Sequence, residues 1–383
     1  MSSLVKLSWE TELEPGGNPL NNSQLHSTWR KHLRQLAPDE CKSRLTNMTW
    51  LVIGLFKAGN VHVSKIACQL PVRAKRASLD KRLRRFLSNP AVRVRAWYRK
   101  VAQDLLARAS VAGAVHLVID GSKIGFGHQL LMVGVAYKRR TLPIAWTWVR
   151  HRKGHSSTGK QLALLSYVRS LLPANVAVSL VGDCEFGSAR LIEYLDSWKW
   201  TYALRQPGHY LCMPYNTGRW QRLDTLPHIK PGATLWMGRV LLTQVNAYPT
   251  NLAIHWRSGE PAPWLLATNL LCPQPAIRLY RRRMWLEEMF GDMKGHGFDL
   301  EATHLRHFLR LSRLTLAVCL VYVWLVATGE HVLVTGQAGD VDRNDRRDLS
   351  IFRIGWDFIN RRCVLDDPIP IVSVPFFTLL SGG

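Results

Sequence analysis

The sequence predicts a mixed α/β (α+β) protein in which a helical N-terminal region precedes a sheet flanked by helices. Helical apolar spacing without good strands dominates residues 21–112, whereas β-rich apolar runs begin near residue 114 and alternate with helical patterns. Composition agrees, because 47% of the 383 residues are hydrophobic and only 20% are charged. Such a chain can bury a sizeable core, which excludes wholesale disorder.

The N-terminal part divides into a tail and a helical region. Residues 1–20 contain proline and glycine near position 15 and little periodic apolar signal, so we interpret them as a flexible tail. Beyond them helical patterns recur, and one of them places five apolar residues on one face: Leu45, Met48, Leu51, Val52 and Leu55. We predict a helical domain over residues 21–112.

A basic segment lies inside this domain. Residues 73–100 hold eleven Lys or Arg against one acid, Asp80. Four apolar side chains fall on one helical face, so the cations project from the other, which favours contact with nucleic acid. A merely solvated face is the alternative. A shorter helical pattern over residues 63–70 precedes this helix and raises the possibility of a helix-turn-helix. The DNA-binding candidates are Arg73, Lys75, Arg76, Lys81, Arg82, Arg84 and Arg85.

The charge and the cysteines narrow the class of protein. A net charge of +24 calls for an anionic partner such as DNA, RNA or an anionic membrane surface. The apolar run over residues 314–328 is shorter than the roughly 20 residues of a membrane span, which favours a buried core helix.

Seven scattered cysteines without a C-x-x-C pair argue against a disulfide framework and a structural zinc site. With no signal peptide visible, we expect a cytoplasmic protein with no membrane partner.

The second half begins with an ordered series of strands and helices over residues 113–206. The order is three strands, helix, strand, helix, strand, and the elements span residues 115–119, 130–137, 142–149, 160–172, 176–181, 188–198 and 200–205. Short alternating runs with Gly and Pro turns follow and predict a β insertion over residues 207–272. Helices return over residues 273–383, beginning with one over 275–294.

Two aspartates follow apolar strands. Asp120 and Asp183 each stand where a predicted strand ends, and ligands gather at such ends in α/β sheets. If the two strands are neighbours, the carboxylates can share hard divalent cations. Ordinary turn chemistry is the alternative for either residue taken singly.

The helix after the β insertion carries a further set of polar residues. Tyr280, Arg283, Glu287 and Lys294 are spaced to share one helical face. A carboxylate flanked by cations and a phenol suits a metal ligand beside bound phosphates. On spacing alone, however, an exposed helix with i,i+4 ion pairs is the better interpretation, and Glu288 competes with Glu287.

These residues resemble a known family. The pattern Tyr280-x2-Arg283-x3-Glu287-x6-Lys294 matches the Y-x2-R-x3-E-x6-K signature of the DDE transposases of insertion-sequence family four, which include those of composite transposons five and ten. Residues 120–122 (DGS) and 182–187 (GDCEFG) resemble two other signature blocks, and residues 263–269 (PWLLATN) resemble the transposon-ten relatives. The resemblance runs from about residue 30 to residue 360.

The resemblance implies an RNase H-like catalytic core interrupted by a β insertion and preceded by a helical domain that binds transposon ends. Asp120, Asp183 and Glu287 would form the catalytic, metal-binding triad, and Tyr280, Arg283 and Lys294 would be the phosphate-side residues. Two Mg²⁺ ions, with Mn²⁺ as substitute, would serve nicking, hairpin excision and strand transfer. The partners would be double-stranded transposon ends and target DNA, bound by a homodimer on the bacterial nucleoid.

Two positions and two other functions stay open at this point. Cys184 replaces the basic residue that many relatives carry after the second aspartate. Trp264 stands at the position of the family's base-accepting tryptophan, with a core tryptophan as the alternative. A catalytically silent DNA-binding protein derived from a transposase, acting as repressor or inhibitor, is the alternative function. A nuclease on the same fold fits the basic segment and the β insertion poorly.

Overall fold

The computed structural model describes residues 22–125, 127–150, 155–226, 229–343, 345–372 and 374–377. The tail expected at residues 1–20 lies outside them. Throughout this part of the chain, helices surround one large sheet, as the sequence predicts.

Five helices form the N-terminal part of the described chain. Their apolar faces point inward: all five apolar residues in the pattern that begins at Leu45 are buried, and so are the four that begin at Leu79. The helices are α1 (Asn22–Leu36), α2 (Lys42–Ala58), α3 (Val63–Cys68), α4 (Arg76–Ser88) and α5 (Val94–Val111).

The first half of the sheet follows the predicted order of strands and helices. Its elements are β1 (Val115–Ile124), β2 (His128–Tyr137), β3 (Arg140–Arg150), α6 (Thr158–Arg169), β4 (Val178–Gly182), α7 (Ala189–Ser197) and β5 (Thr201–Arg205). The strands lie side by side as β3-β2-β1-β4-β5. The first three are antiparallel, and β4 and β5 run parallel to β1. This arrangement is RNase H-like.

The residues of the predicted β insertion extend the same sheet. The strands of the insertion are β6 (Leu211–Pro214), β7 (Gln221–Arg222), β8 (Thr234–Leu242), β9 (Tyr248–His255) and β10 (Trp264–Thr268). β10 lies between β5 and β9, and the order continues β10-β9-β8-β6-β7. Each neighbouring pair in this extension is antiparallel, including β10 with β5. The strands of the insertion and the first five strands therefore form one continuous ten-stranded sheet within the described residues.

The chain ends in helices that close the core. They are α8 (Pro273–Tyr280), α9 (Met284–Met293), α10 (Phe308–Val334) and α11 (Ile351–Leu365). α10 is long and apolar enough to cross a membrane by length and composition, but 94% of its apolar window is buried inside the protein. It packs against α11, α2 and β3, as expected of a core helix.

Candidate active site

The register between two parallel strands brings Asp120 and Asp183 side by side. β1 and β4 pair as far as Ile119 opposite Gly182, so an aspartate is the next residue on both. The prediction that β1 ends before Asp120 is wrong, because antiparallel pairing with β2 continues to Ile124. Asp120 thus lies within β1, at the point where the strand loses its β4 neighbour.

The third carboxylate, Glu287, is on a helix that packs against the sheet. The helix predicted over residues 275–294 is divided into α8, a 3₁₀ turn (Arg281–Arg283) and α9. The turn contacts β1 and β4, and α9 contacts β1 and β2. Glu287 therefore lies one turn into a helix that packs under the strand carrying Asp120.

One guanidinium joins the three carboxylates. Arg283 Nη1 lies 3.1 Å from Asp120 Oδ2 and 4.0 Å from Asp183 Oδ2. Arg283 Nη2 lies 2.6 Å from Glu287 Oε1. The Nε atom of the same side chain is buried and has no hydrogen-bond partner within the described residues. Arg283 is thus held mainly by the acids that surround it.

The neighbours of Asp120 in this cluster affect its ionisation. Burial is the main cause that raises the pKa of Asp120 to about 7; Arg283 opposes the rise, and the Asp183 and Glu287 carboxylates contribute to it. Burial alone would lower the pKa of Arg283, but nearby Tyr280 and the three acids raise it above its ordinary value. The site is therefore an acidic cluster, formed by Asp120, Asp183 and Glu287, whose charge Arg283 partly balances.

The other two signature residues behave differently. Tyr280 is 2% exposed, and its hydroxyl donates a long hydrogen bond to Asp183 Oδ1 at 3.4 Å. Lys294 follows the last residue of α9 and has a non-helical backbone. The expectation that it shares one helical face with Tyr280, Arg283 and Glu287 is therefore wrong. The Lys294 Nζ lies 2.8 Å from Glu301 and donates to the Lys123 carbonyl at 3.2 Å.

A comparison with protein families decides the class. The family model described as "Transposase DDE domain" matches residues 113–324, more than half of the chain. The chain belongs to this transposase family. Among solved structures it is similar to piggyBac transposase in a synaptic complex with hairpin DNA, studied by cryo-EM, with a TM-score of 0.42 and 11% identity over 90% of this chain and 78% of that chain. No curated protein matches.

Contacts in the transposase separate Glu287 from its competitor Glu288. Glu288 Oε2 lies 3.2 Å from Arg140 Nη1 at the start of β3, and the same guanidinium binds Asp292 at 2.7 Å. Glu288 therefore belongs to an ion-pair group that fastens α9 to β3. Only Glu287 of the two contacts Arg283 in the acidic cluster.

Sequence reasoning missed one residue of the site. Arg205, the last residue of β5, lies 3.9 Å from Asp183 Oδ1 through its Nη1. The signal available in the sequence was a cation at the end of the strand predicted over residues 200–205. Recognising it required knowing that β5 lies directly beside β4.

The acidic cluster has the chemistry of a divalent-cation site but is not arranged as one. Three carboxylates offer the oxygen ligands that Mg²⁺ prefers. Within the described residues, no three His, Cys, Asp or Glu side chains are placed to hold a metal ion together. Arg283 contacts the same oxygens that a metal would need, so this guanidinium must move before Asp120, Asp183 and Glu287 can share one.

The seven basic candidates on and before α4 divide into two groups. Arg82 donates to Asn47 Oδ1 at 2.8 Å and lies over the Trp50 ring at 4.2 Å, while Arg84 pairs with Asp80. These two are tied within the helical domain. The exposed group consists of Arg73, Lys75, Arg76, Lys81 and Arg85. α3 packs against α4, and Ser64 donates to Asp80 across the pair at 2.9 Å.

Trp264 begins β10 and is 4% exposed. Its ring packs edge-on against His255 and against Tyr280, with centroid distances of 5.5 and 5.0 Å. Trp264 therefore packs against the ring of Tyr280 and supports it. A base can stack on it only after a rearrangement of this packing.

Proposed function

We propose that the protein is a metal-dependent cut-and-paste DNA transposase of the insertion-sequence family four type. Asp120, Asp183 and Glu287 are the residues that would hold two Mg²⁺ ions, or Mn²⁺ in their place. The observation that carries this proposal is the contact of Arg283 with all three carboxylates, which come from three different elements. Membership of the DDE-domain family and the four-residue signature support it.

The reaction would be a series of in-line displacements at phosphorus. In the first, a water oxygen forms a bond to phosphorus while the bond to the 3′ oxygen breaks, which leaves a free 3′-hydroxyl. That hydroxyl would then bond to a phosphorus of the opposite strand while the 3′ oxygen of the flanking DNA leaves, which closes a hairpin. A second water would open the hairpin at the same phosphorus and release the 3′-hydroxyl, which would then bond to a target phosphorus while a target 3′ oxygen leaves. The bound ions would polarise the phosphodiester and activate the attacking oxygen.

The side chains around the triad would position the substrate. Arg283 can exchange its carboxylate partners for phosphate oxygens, which offer its planar fork an equivalent bidentate contact. Arg205 stands beside Asp183 and would bind a second phosphate. Lys294 would join them only by leaving Glu301. The exposed cations near α4 would hold the transposon end at a distance from the chemistry.

The same proposal includes the partners and the location. Double-stranded transposon ends and target DNA are the anions that suit a net charge of +24. A homodimer would hold two ends in the synapse, in the bacterial cytoplasm at the nucleoid. The alternative is a catalytically silent relative that represses or inhibits transposition, and the retention of all three acids together with the complete signature disfavours it.

A nicking assay tests the proposal directly. The substrate is a duplex that carries the element's terminal inverted repeats, incubated with Mg²⁺ or Mn²⁺. Wild-type protein should nick it, whereas Asp120→Asn, Asp183→Asn and Glu287→Gln should bind it in a gel shift without nicking. Glu288→Gln is the matched control and should retain cleavage.

Two results would refute the assignment. Binding by wild-type protein with no nicking in either metal would favour the silent repressor. Full cleavage by any of the three triad variants would remove that residue from the metal site.

A further inference from the structure

A fourth acid lies close to the triad but faces other partners. The side chain of Glu185, two residues after Asp183, is 9% exposed. Its Oε1 accepts hydrogen bonds from the Ser156 backbone N–H at 2.6 Å and the Ser156 hydroxyl at 2.5 Å. Its Oε2 accepts one from Gln129 Nε2 at 2.9 Å. Because the protein occupies both oxygens, Glu185 is poorly placed to ligate a metal itself.

These bonds join segments that are far apart in the chain. Glu185 lies in the 3₁₀ turn that follows Asp183, Ser156 lies between β3 and α6, and Gln129 is on β2. Gln161 on α6 completes the group, donating to the Glu185 carbonyl at 3.2 Å and to the Ser156 hydroxyl at 3.1 Å. A shift of the turn after Asp183 would therefore break several hydrogen bonds at once.

The same hydrogen-bonded group also contacts the backbone next to Asp120, through Gln129. A Cβ atom added at Gly121 would lie 2.0 Å from Gln129 Nε2, so Gln129 packs directly on the backbone of the residue after Asp120. The Gly121 N–H in turn donates to Asp120 Oδ1 at 2.7 Å. A side chain at this position would have to displace Gln129 from Glu185.

We propose that Glu185 is a positioning residue that fixes the Asp120 and Asp183 carboxylates relative to each other so that they can share a divalent cation. It acts on Asp183 through the turn that carries both residues, and on Asp120 through Gln129 and Gly121. The proposal rests on the metal-dependent function proposed above. It concerns a residue outside the triad and outside the four-residue signature.

The first test is Glu185→Gln in the full chain bound to a terminal-repeat duplex. The amide has no charge, so it accepts weaker hydrogen bonds from Ser156 than the carboxylate does, and the group loosens while the shape of the side chain is retained. Mn²⁺ binding to the complex, measured by the electron paramagnetic resonance of free Mn²⁺, should weaken by about 10–100-fold, as is typical when the partners of metal ligands are removed. DNA affinity and melting temperature should change little, and excess metal should restore nicking.

Two further variants make the test specific. Glu193→Gln, on an exposed position of α7, is the matched control and should leave Mn²⁺ binding unchanged. Ser156→Ala removes one donor to Glu185 but retains the backbone bond, so it should weaken Mn²⁺ binding less than Glu185→Gln does. The double variant should be no weaker than Glu185→Gln alone, because the two act through one group.

The outcomes separate this inference from the proposed function. Unchanged Mn²⁺ affinity in both Glu185→Gln and Ser156→Ala would overturn the positioning role, and so would a loss of binding in Glu185→Gln that excess metal cannot restore, as expected of a ligand. A wild-type complex that neither binds Mn²⁺ nor nicks would instead refute the proposed function.

Discussion

The guanidinium of Arg283 lies 2.6 Å from the carboxylate of Glu287, one helical turn further along the chain. The same guanidinium contacts Asp120 and Asp183. The Arg283 guanidinium therefore occupies the position in which the proposed function requires metal ions. This competition leads to a direct prediction.

Arg283→Gln should bind Mn²⁺ more tightly than wild type in the absence of DNA. Unit charges 4 Å apart attract by about 1–4 kcal/mol between bulk water and a protein surface, so we expect a gain of roughly tenfold or more. Titration calorimetry measures it. Arg205→Gln removes a cation that pairs with one of the three acids, Asp183, at 3.9 Å, and should show a smaller gain. Equal affinities in Arg283→Gln and wild type would show that the guanidinium does not compete with the metal.

The exposed cations of α4 should contribute to DNA binding more than the internally bound ones do. Lys81→Ala and Arg85→Ala should each lower the slope of log affinity against log salt by about 0.9 for every DNA phosphate that the removed cation neutralises. Arg82→Ala should instead lower the free energy of unfolding by about 1 kcal/mol, because it removes the cation–π interaction with Trp50. Fluorescence anisotropy at several salt concentrations and urea unfolding measure the two effects. A slope unchanged in the Lys81 and Arg85 variants would show that this surface does not touch DNA.

Trp264→Ala distinguishes a base-accepting tryptophan from a core one. The burial of its ring against Tyr280 predicts a loss of about 3–5 kcal/mol in the free energy of unfolding. If Trp264 also accepts a flipped base, the variant should still make the first nick but form hairpins slowly, and an abasic site at the flipped position should partly restore them. Equal loss of nicking and hairpin formation, with a lowered melting temperature, would identify Trp264 as core only.

The crossing of α10 and α11 should not tolerate side chains at its two glycines. A Cβ atom on Gly329 would lie 1.9 Å from the Ile351 carbonyl oxygen, and one on Gly355 would lie 1.9 Å from that of Leu325. Gly329→Ala should lower the free energy of unfolding by at least about 1–3 kcal/mol, since neighbouring backbone must move. Gly159→Ala on α6, with open space around it, should raise it by up to about 1 kcal/mol. Urea unfolding of the pair gives the comparison, and equal effects would contradict the close crossing.

Acid should destabilise the protein through His32. Burial lowers the pKa of this imidazole from 6.5 to about 4, and its ring packs against Trp29. Between these two values the unfolded chain takes up a proton that the folded protein does not, so stability declines as the pH falls from about 6.5 to about 4. His32→Gln should flatten this part of the dependence of melting temperature on pH. An unchanged profile in the variant would assign the decline to other groups.

Local patterns predicted the helices, the strands and their order, because apolar spacing reports which face of an element is buried. They placed Asp120 and Asp183 near strand ends without showing that the parallel register makes them neighbours. That register depends on pairing between residues about 60 positions apart. The continuation of β1 past Asp120 was missed for the same reason, since it depends on how far β2 pairs.

Side-chain partners were less accessible to sequence reasoning. Arg82 and Arg85 look equivalent on a helical projection, yet only Arg82 meets Asn47 and Trp50, which α2 supplies. Lys294 has the signature spacing, but α9 ends before it. Helical periodicity describes a face, whereas the partners of that face depend on elements brought in from elsewhere in the chain.

The place of β10 between β5 and β9 sets an order for assembly during translation. The first five strands can pair with one another without any residue after 206, but the sheet cannot be continuous until the chain has passed through β6–β9 and returned as β10. Glu287 follows only after that return, on α9. A nascent or truncated chain that stops before α8 therefore carries the cations of α4 together with Asp120 and Asp183, but neither the third carboxylate nor the arginine that joins them.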